Sequence, residues 1–362
     1  MTSPTLYLTQ GIRIFRNSIH LKANGFHEYD GNAKDICTRI IEDCWNGRFF
    51  QTSTTNFPQL WTRDLGWCTA SLLKLGHKER VEQTVLYALD VFSANDKITT
   101  TITPKGRSFN FPTVAVDSLP WLMHSITLIK NRALIEPFVP FLEKEMWLFY
   151  KKIIDKKTGL VKQKHFSSIK DYALRKSACY DNCMVASLSQ SLDRLNLINP
   201  FKRFDYESII KKHFWNGHYF YDDLQKLSYI AADANIFPFY FNTIKDTHML
   251  RSALEAVHHA SLDLPLPVKY TPKNAPVKFI WSELFMHHYE LDTTWTHMGP
   301  LYISLLKTVN LALAKKHIKA YTKMIESYKN YPEALTPEGK PFTAPFYHCD
   351  QGMLWAANYL TL

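Results

Sequence analysis

The sequence predicts an all-α protein, an (α/α)6 barrel or toroid of paired helices with short β-hairpins in its loops. Three observations point there. Apolar residues recur at three- and four-residue spacing along most of the 362 residues, the period of a helix with one buried face. Strand signals are few and short, and no alternation of strands with helices suggests a parallel sheet. No Pro/Gly/Ser-rich linker or exact short repeat divides the chain, so residues 1–362 read as a single domain.

Taken in order, "NAKDICTRIIEDCWN", the run after "QLWTRDLGW", "ERVEQTVLYALDVFSA" and "DSLPWLMHSITLIKN" are predicted helices. Pro120 stands just inside the last of these, where a missing N–H costs nothing. "LIEPFVPFLEKEMWLFYKKII", "NCMVASLSQSLDRLN", "FDYESIIKKHFW", "DTHMLRSALEAVHHA" and "DQGMLWAANYL" continue the pattern. The long stretch from Met298 reads as two helices meeting near Asn310 to Lys315. The threonine-rich "KITTTITPKGRSFNF" suits a hairpin or an extended loop. "GHYFYDDLQKLSYIAADAN" reads as a second hairpin, turning near Asp222 to Lys226. About eleven or twelve helices with alternating short and long connections fit a toroid.

Composition excludes several classes. With 46% hydrophobic and 21% charged residues the chain is globular, neither disordered nor fibrous. The N-terminus lacks the apolar core of roughly 7–15 residues that a secretory signal needs. No window approaches about 18 uninterrupted apolar residues, so no membrane span is expected. A cytoplasmic location is expected, with the six scattered cysteines as free thiols. The net charge of +10 comes from dispersed lysines, which suits a solvated surface better than a nucleic-acid stripe. Neither phosphate-loop glycines nor a GxSxG elbow occurs. Cys179/Cys183 and the pairs His258-His259 and His287-His288 lack metal-ligand spacing, so neither metal nor cofactor is expected.

Four carboxylates stand beside aromatic residues where a helix should start or a loop should end. They are Asp64 in "LWTRDLGW", Asp117 in "PTVAVDSLPW", Asp181 in "SACYDNCMVA" and Glu333 in "YPEALTPEGKPF". Singly, the first three could be N-caps, and Asp64 could be ion-paired with Arg63. Together they suggest a pocket. In a toroid the loops at one end of the inner helices converge, and carboxylates among tryptophan and tyrosine suit sugar hydroxyls and C–H faces. Glycoside hydrolysis needs two carboxyl groups, one protonated and one ionised.

The ordered set "LWTRDLGW … VDSLPW … YDNCM … SYIAADANIFPF … TTWTHMGPLYI … YPEALTPEGKPF … YHCDQGMLWAANYL" resembles the (α/α)6-barrel glycoside hydrolases. That group includes glucoamylases, amylo-α-1,6-glucosidases, trehalases, processing α-glucosidases and alkaline/neutral invertases. The resemblance runs from about residue 55 to the C-terminus, its weight lying in motif order and spacing. It implies Asp181 as general acid and Glu333 as general base, with Glu338 the competing carboxylate. Around Asp181 the flanking residues depart from the family's "MDKMG" and "IDRRMG" patterns. Trp61, Arg63, Asp64, Asp117 and Trp121 are implied to bind substrate, with Asp233, Trp295 and Tyr347 as further pocket candidates. His297 and Asp350 stand beside them, packing and capping being equal readings for Trp295 and Asp350.

The expected activity is inverting hydrolysis of an α-glycosidic bond in a glucose-containing di- or oligosaccharide. The two carboxyl groups should then lie roughly 6.5–9.5 Å apart. Other toroid enzymes (β-fructosidase, phosphorylase, epimerase, lyase) and a non-catalytic sugar-binding toroid are the alternatives. The expected partner is a small carbohydrate, with neither nucleic acid nor membrane.

Overall fold

A computed structural model describes residues 4–362, leaving the first three residues of the N-terminal stretch outside it. The helices, in chain order, are α1 (Pro4–Asn24), α2 (Ala33–Asp43), α3 (Thr62–Lys74), α4 (Lys78–Ala94), α5 (Ser118–Ile129), the short α6 (Arg132–Ile135) and α7 (Val139–Ile153). They continue as α8 (Cys179–Arg194), α9 (Tyr206–Phe214), α10 (Ala232–Tyr240), α11 (Thr247–His259), α12 (Gly299–Val309), α13 (Leu311–Tyr328) and α14 (Ala356–Leu360). Among the described residues no helix is long and apolar enough to cross a membrane.

Six helices close a ring. α3 packs on α5, α5 on α8, α8 on α10, α10 on α12, α12 on α14, and α14 returns to α3. Outside it, α4 covers α3 and α5, α9 covers α8, α11 covers α10 and α12, α13 covers α12, and α2 covers α14. With α7 between α5 and α8 in sequence, inner and outer helices alternate around the toroid.

Burial separates the layers. Twelve of the 16 residues of α8 are buried, against five of the 18 in α13. The seam between α3 and α5 depends on Gly66, where a Cβ would come within 2.5 Å of the Trp121 ring. Only a glycine lets those two backbones approach so closely.

Strands are two residues long and lie in the loops. β1 (Leu60–Trp61), β2 (Thr101–Ile102) and β3 (Ser108–Phe109) form one antiparallel sheet, so the threonine-rich stretch is a hairpin with a third strand beside it. β4 (Thr294–Trp295) pairs with β5 (Ala334–Leu335), and β6 (Thr343–Ala344) with β7 (Tyr347–His348). The stretch from Met298 is two helices, with Asn310 capping the second through its side chain. All six cysteines are free and buried.

The second expected hairpin is corrected. Residues 217–235 form no hairpin, their one bridge running from Phe220 back to Trp215, and "ADANIFPFY" is α10, with Pro238 inside it. Eight of the nine residues of α10 are buried. A helix buried all round shows no 3.6-residue polarity pattern. α14 is likewise shorter than "DQGMLWAANYL" suggested, beginning only at Ala356. α1, unread in the sequence, lies across the loop end of the toroid. Its Asn17 donates to the Thr55 carbonyl at 3.2 Å, and Lys22 to the Ala344 carbonyl at 2.6 Å.

Candidate active site

The inner helices begin at the end of the ring where a pocket of about 170 Å³ opens. A cavity of about 150 Å³ accepts one benzene ring, so this one suits a single six-membered ring. Trp61, Trp67, Tyr172, Tyr270, Tyr289, Trp295, Tyr347 and Trp355 supply aromatic walls, and Arg63, Asp64, Asp171, Glu290, His297 and Glu333 the polar groups.

Arg63 and Asp64 occupy the first turn of α3, but Asp64 makes no cap and is not the partner of Arg63. The Arg63 Nε donates to Asp117 Oδ2 at 2.7 Å and its Nη2 to Asp171 Oδ1 at 3.3 Å. Asp64 instead accepts from the Trp355 indole at 2.8 Å. Burial pushes its carboxyl up to about 7, against the opposing pull of Arg63 and the Trp355 bond.

Asp117 precedes α5, fully buried, and makes no side-chain cap. It accepts from Tyr180 Oη at 2.9 Å, and Tyr180 in turn accepts from Trp121 Nε1 at 3.1 Å. Asp117 and Trp121 therefore do not line the pocket: they form the rear support of Arg63. Asp233, at the head of α10, is also fully buried and sits with Lys170 (3.1 Å) and Arg175 (2.9 Å) beside Asp222. These two cations hold the Asp222 carboxyl down at about 2, against its burial.

Asp181 lies in the first turn of α8, outside the pocket lining. Arg175 Nη2 is 4.0 Å away, and Asp181 Oδ1 has no hydrogen-bond partner among the described residues. Burial raises this carboxyl to about 7, Arg175 acting against it.

Glu333 does line the pocket. The pairing of Trp295 with Ala334 fixes the backbone beside it. Its carboxylate accepts from the hydroxyls of Tyr289 and Tyr347 and from the Asp350 N–H at 2.7 Å. Burial and the neighbouring Asp350 raise it to about 7, opposed by those three donors. Asp350 itself is occupied by Ser53, Thr55 and the backbone of Asn56 and Phe57. Glu338, the competing carboxylate, is exposed in a turn outside the pocket lining.

The sequence reading missed Asp171 and Glu290. Glu290 accepts the backbone N–H groups of Asp171, Tyr172 and Ala173, which pins that loop as a pocket wall, and burial lifts it to about 8. Neither residue stands beside a helix start, the signal that found Asp64, Asp117 and Asp181. His297 lines the pocket stacked on Trp67 at 4.1 Å, and burial, with Arg63 nearby, lowers its basicity.

Three pocket residues carry unsatisfied polar atoms: Trp61 Nε1, Trp67 Nε1 and His297 Nδ1 make no hydrogen bond among the described residues.

No family model matches the sequence, and no curated protein matches it. Solved structures do match the fold. A rhamnosidase from Klebsiella oxytoca with rhamnose bound superposes with a TM-score of 0.65 at 11% identity over 91% of this chain, which spans 62% of the length of that protein. A glycosidase variant in complex with glucose gives 0.63 at 12% identity, covering 97% of this chain and 96% of the other. The GH63 mannosylglycerate hydrolase from Thermus thermophilus in complex with Tris gives 0.63 at 10% identity, covering 91% and 98%. The chain thus has the (α/α)6 toroid fold seen in these glycosidases.

Proposed function

We propose that this chain is a glycoside hydrolase that cleaves an α-glycosidic bond in a glucose-containing di- or oligosaccharide with inversion. The supporting observation is the one-ring aromatic pocket whose Trp61, Trp67 and His297 hold unpaired polar atoms next to the carboxylates of Asp64 and Glu333. A polyhydroxylated ring satisfies such groups while its C–H faces meet the aromatic walls. The named ligands of the structural neighbours, rhamnose and glucose, are consistent with that.

In the proposed reaction Glu333, ionised, takes a proton from a water molecule that attacks the anomeric carbon. The C–O bond to the leaving group breaks as Asp181 donates its proton to the departing oxygen, leaving two neutral products and an exchanged pair of protonation states. The Tyr289 and Tyr347 hydroxyls orient the Glu333 carboxylate. Arg63, Asp64, Trp61 and Trp295 hold the sugar, while Asp117, Trp121 and Asp233 act from behind through the side chains they bind. A second reading of the acid is favoured by one observation: Asp64 lines the pocket, whereas Asp181 does not.

The test is a hydrolysis screen of sucrose, trehalose, maltose, isomaltose and maltooligosaccharides, with α-mannosides and α-rhamnosides alongside. Turnover in water without phosphate separates a hydrolase from a phosphorylase. Glu333→Gln should lower kcat on the best substrate by about 10²–10⁴-fold. Full activity in that variant would overturn the assignment.

A further inference from the structure

Four aromatic side chains at the pocket mouth remain without a role. Phe15 on α1, Phe346 in the β6–β7 turn, and Phe285 and Trp281 in the segment before β4 are 40%, 56%, 49% and 75% exposed. They touch in series, with ring centroids 6.0, 6.1 and 5.9 Å apart. Isolated exposed apolar residues are ordinary, but a contiguous aromatic strip marks a binding surface.

Its position says what binds there. Three of the four stand next in sequence to a pocket-lining residue: Ile14 to Phe15, Met286 to Phe285, and Tyr347 to Phe346. The same three segments thus supply both the strip and part of the pocket wall, which puts the strip within reach of a substituent that leaves a one-ring pocket on their side.

We propose that this strip is the binding site for an apolar aglycone, an alkyl or aryl group attached to the sugar held in the pocket. The inference rests on the glycoside-hydrolase reading and narrows its substrate from a di- or oligosaccharide to an alkyl or aryl glycoside. A run of further sugars is disfavoured by chemistry. The rings meet at 50°, 63° and 78° and present no common flat platform. Apart from the Trp281 indole they offer no hydrogen-bonding group for hydroxyls. An alkyl or aryl group needs only apolar area. The exposed Leu8, Ile12 and Ile19, on the same face of α1 as Phe15, extend that area.

The experiment compares kcat/KM for octyl and methyl α-glucosides, α-mannosides and α-rhamnosides, below the micelle concentration, in the wild type and in a Phe285→Ser/Phe346→Ser variant. Both positions are exposed, and the octyl-to-methyl ratio cancels any loss of folded protein. The wild type should prefer the octyl glycoside at least tenfold, and the variant should bring the ratio close to one. Turnover of a methyl glycoside with no octyl preference overturns the aglycone site and leaves the hydrolase reading standing. An octyl preference that survives the double substitution also overturns it. Turnover of none of these glycosides and of none of the screened di- and oligosaccharides overturns both readings, and turnover of those saccharides alone overturns only the aglycone site. Sedimentation velocity supplies the remaining arm: a wild-type dimer that the variant abolishes assigns the strip to a second copy of this chain and overturns the proposal.

Discussion

Arg63 is bonded to Asp117, 54 residues away, and not to Asp64 beside it. Asp117 is fully buried, so its charge is compensated by Arg63 and by the Tyr180 hydroxyl. Removing one partner of a buried pair strands the other charge. Arg63→Leu should lower stability by about 3–5 kcal/mol in denaturant unfolding. Adding Asp117→Asn should recover part of that loss, and a strictly additive double variant would show the two to be uncoupled.

Burial brings Glu333 and Asp181 both to about 7, and they are needed in opposite states. As pH rises through about 7, Glu333 becomes ionised and competent as a base. Over the same range Asp181 loses the proton it must donate. The profile of kcat/KM should be a narrow bell centred near neutrality. An optimum below pH 5 would separate at least one of these groups from the chemistry.

The choice between Asp181 and Asp64 as proton donor can be read from the leaving group. A good leaving group needs little protonation. Asp181→Asn should cost about 10²–10⁴-fold on a methyl glycoside and far less on the 4-nitrophenyl glycoside of the same sugar. Asp64→Asn should impair both alike. The reverse pattern would move the acid to Asp64.

Glu290 has a folded-state value of about 8 against an ordinary 4.5. A raised carboxyl favours the folded state while protonated, so its contribution is fully present below 4.5 and is lost as pH rises through about 8. Glu290→Gln keeps one acceptor oxygen, enough for two of the three loop N–H groups, and has no proton to lose. Between pH 5 and pH 8 the melting temperature of this variant should fall less than that of the wild type.

Gly66 fixes the approach of α3 to α5. Gly66→Ala places a methyl group against the Trp121 ring and should cost about 1–3 kcal/mol through overpacking. The loss should be smaller in a chain that also carries Trp121→Phe, measured as a double-mutant cycle.

Helical periodicity, a local property, was enough to reveal most of the outer layer and the toroid it implies. It failed at α10 because a helix surrounded by other helices has no polar face to set the period. The carboxylates beside aromatic residues were also legible, since a charge at the entrance to an apolar run is visible in one dimension. Their division of labour was not. Asp64 and Glu333 line the pocket, Asp117 and Asp233 hold cations behind it, and Asp181 sits beside Arg175. Asp171 and Glu290 carry no local signal, because what places them is a loop pinned by backbone bonds more than a hundred residues away in sequence. The sequence by itself determined most of the amphipathic helices and where charge meets aromatic surface. Only the tertiary structure decided which charges pair, since pairing depends on ring closure bringing together helix starts that are distant along the chain.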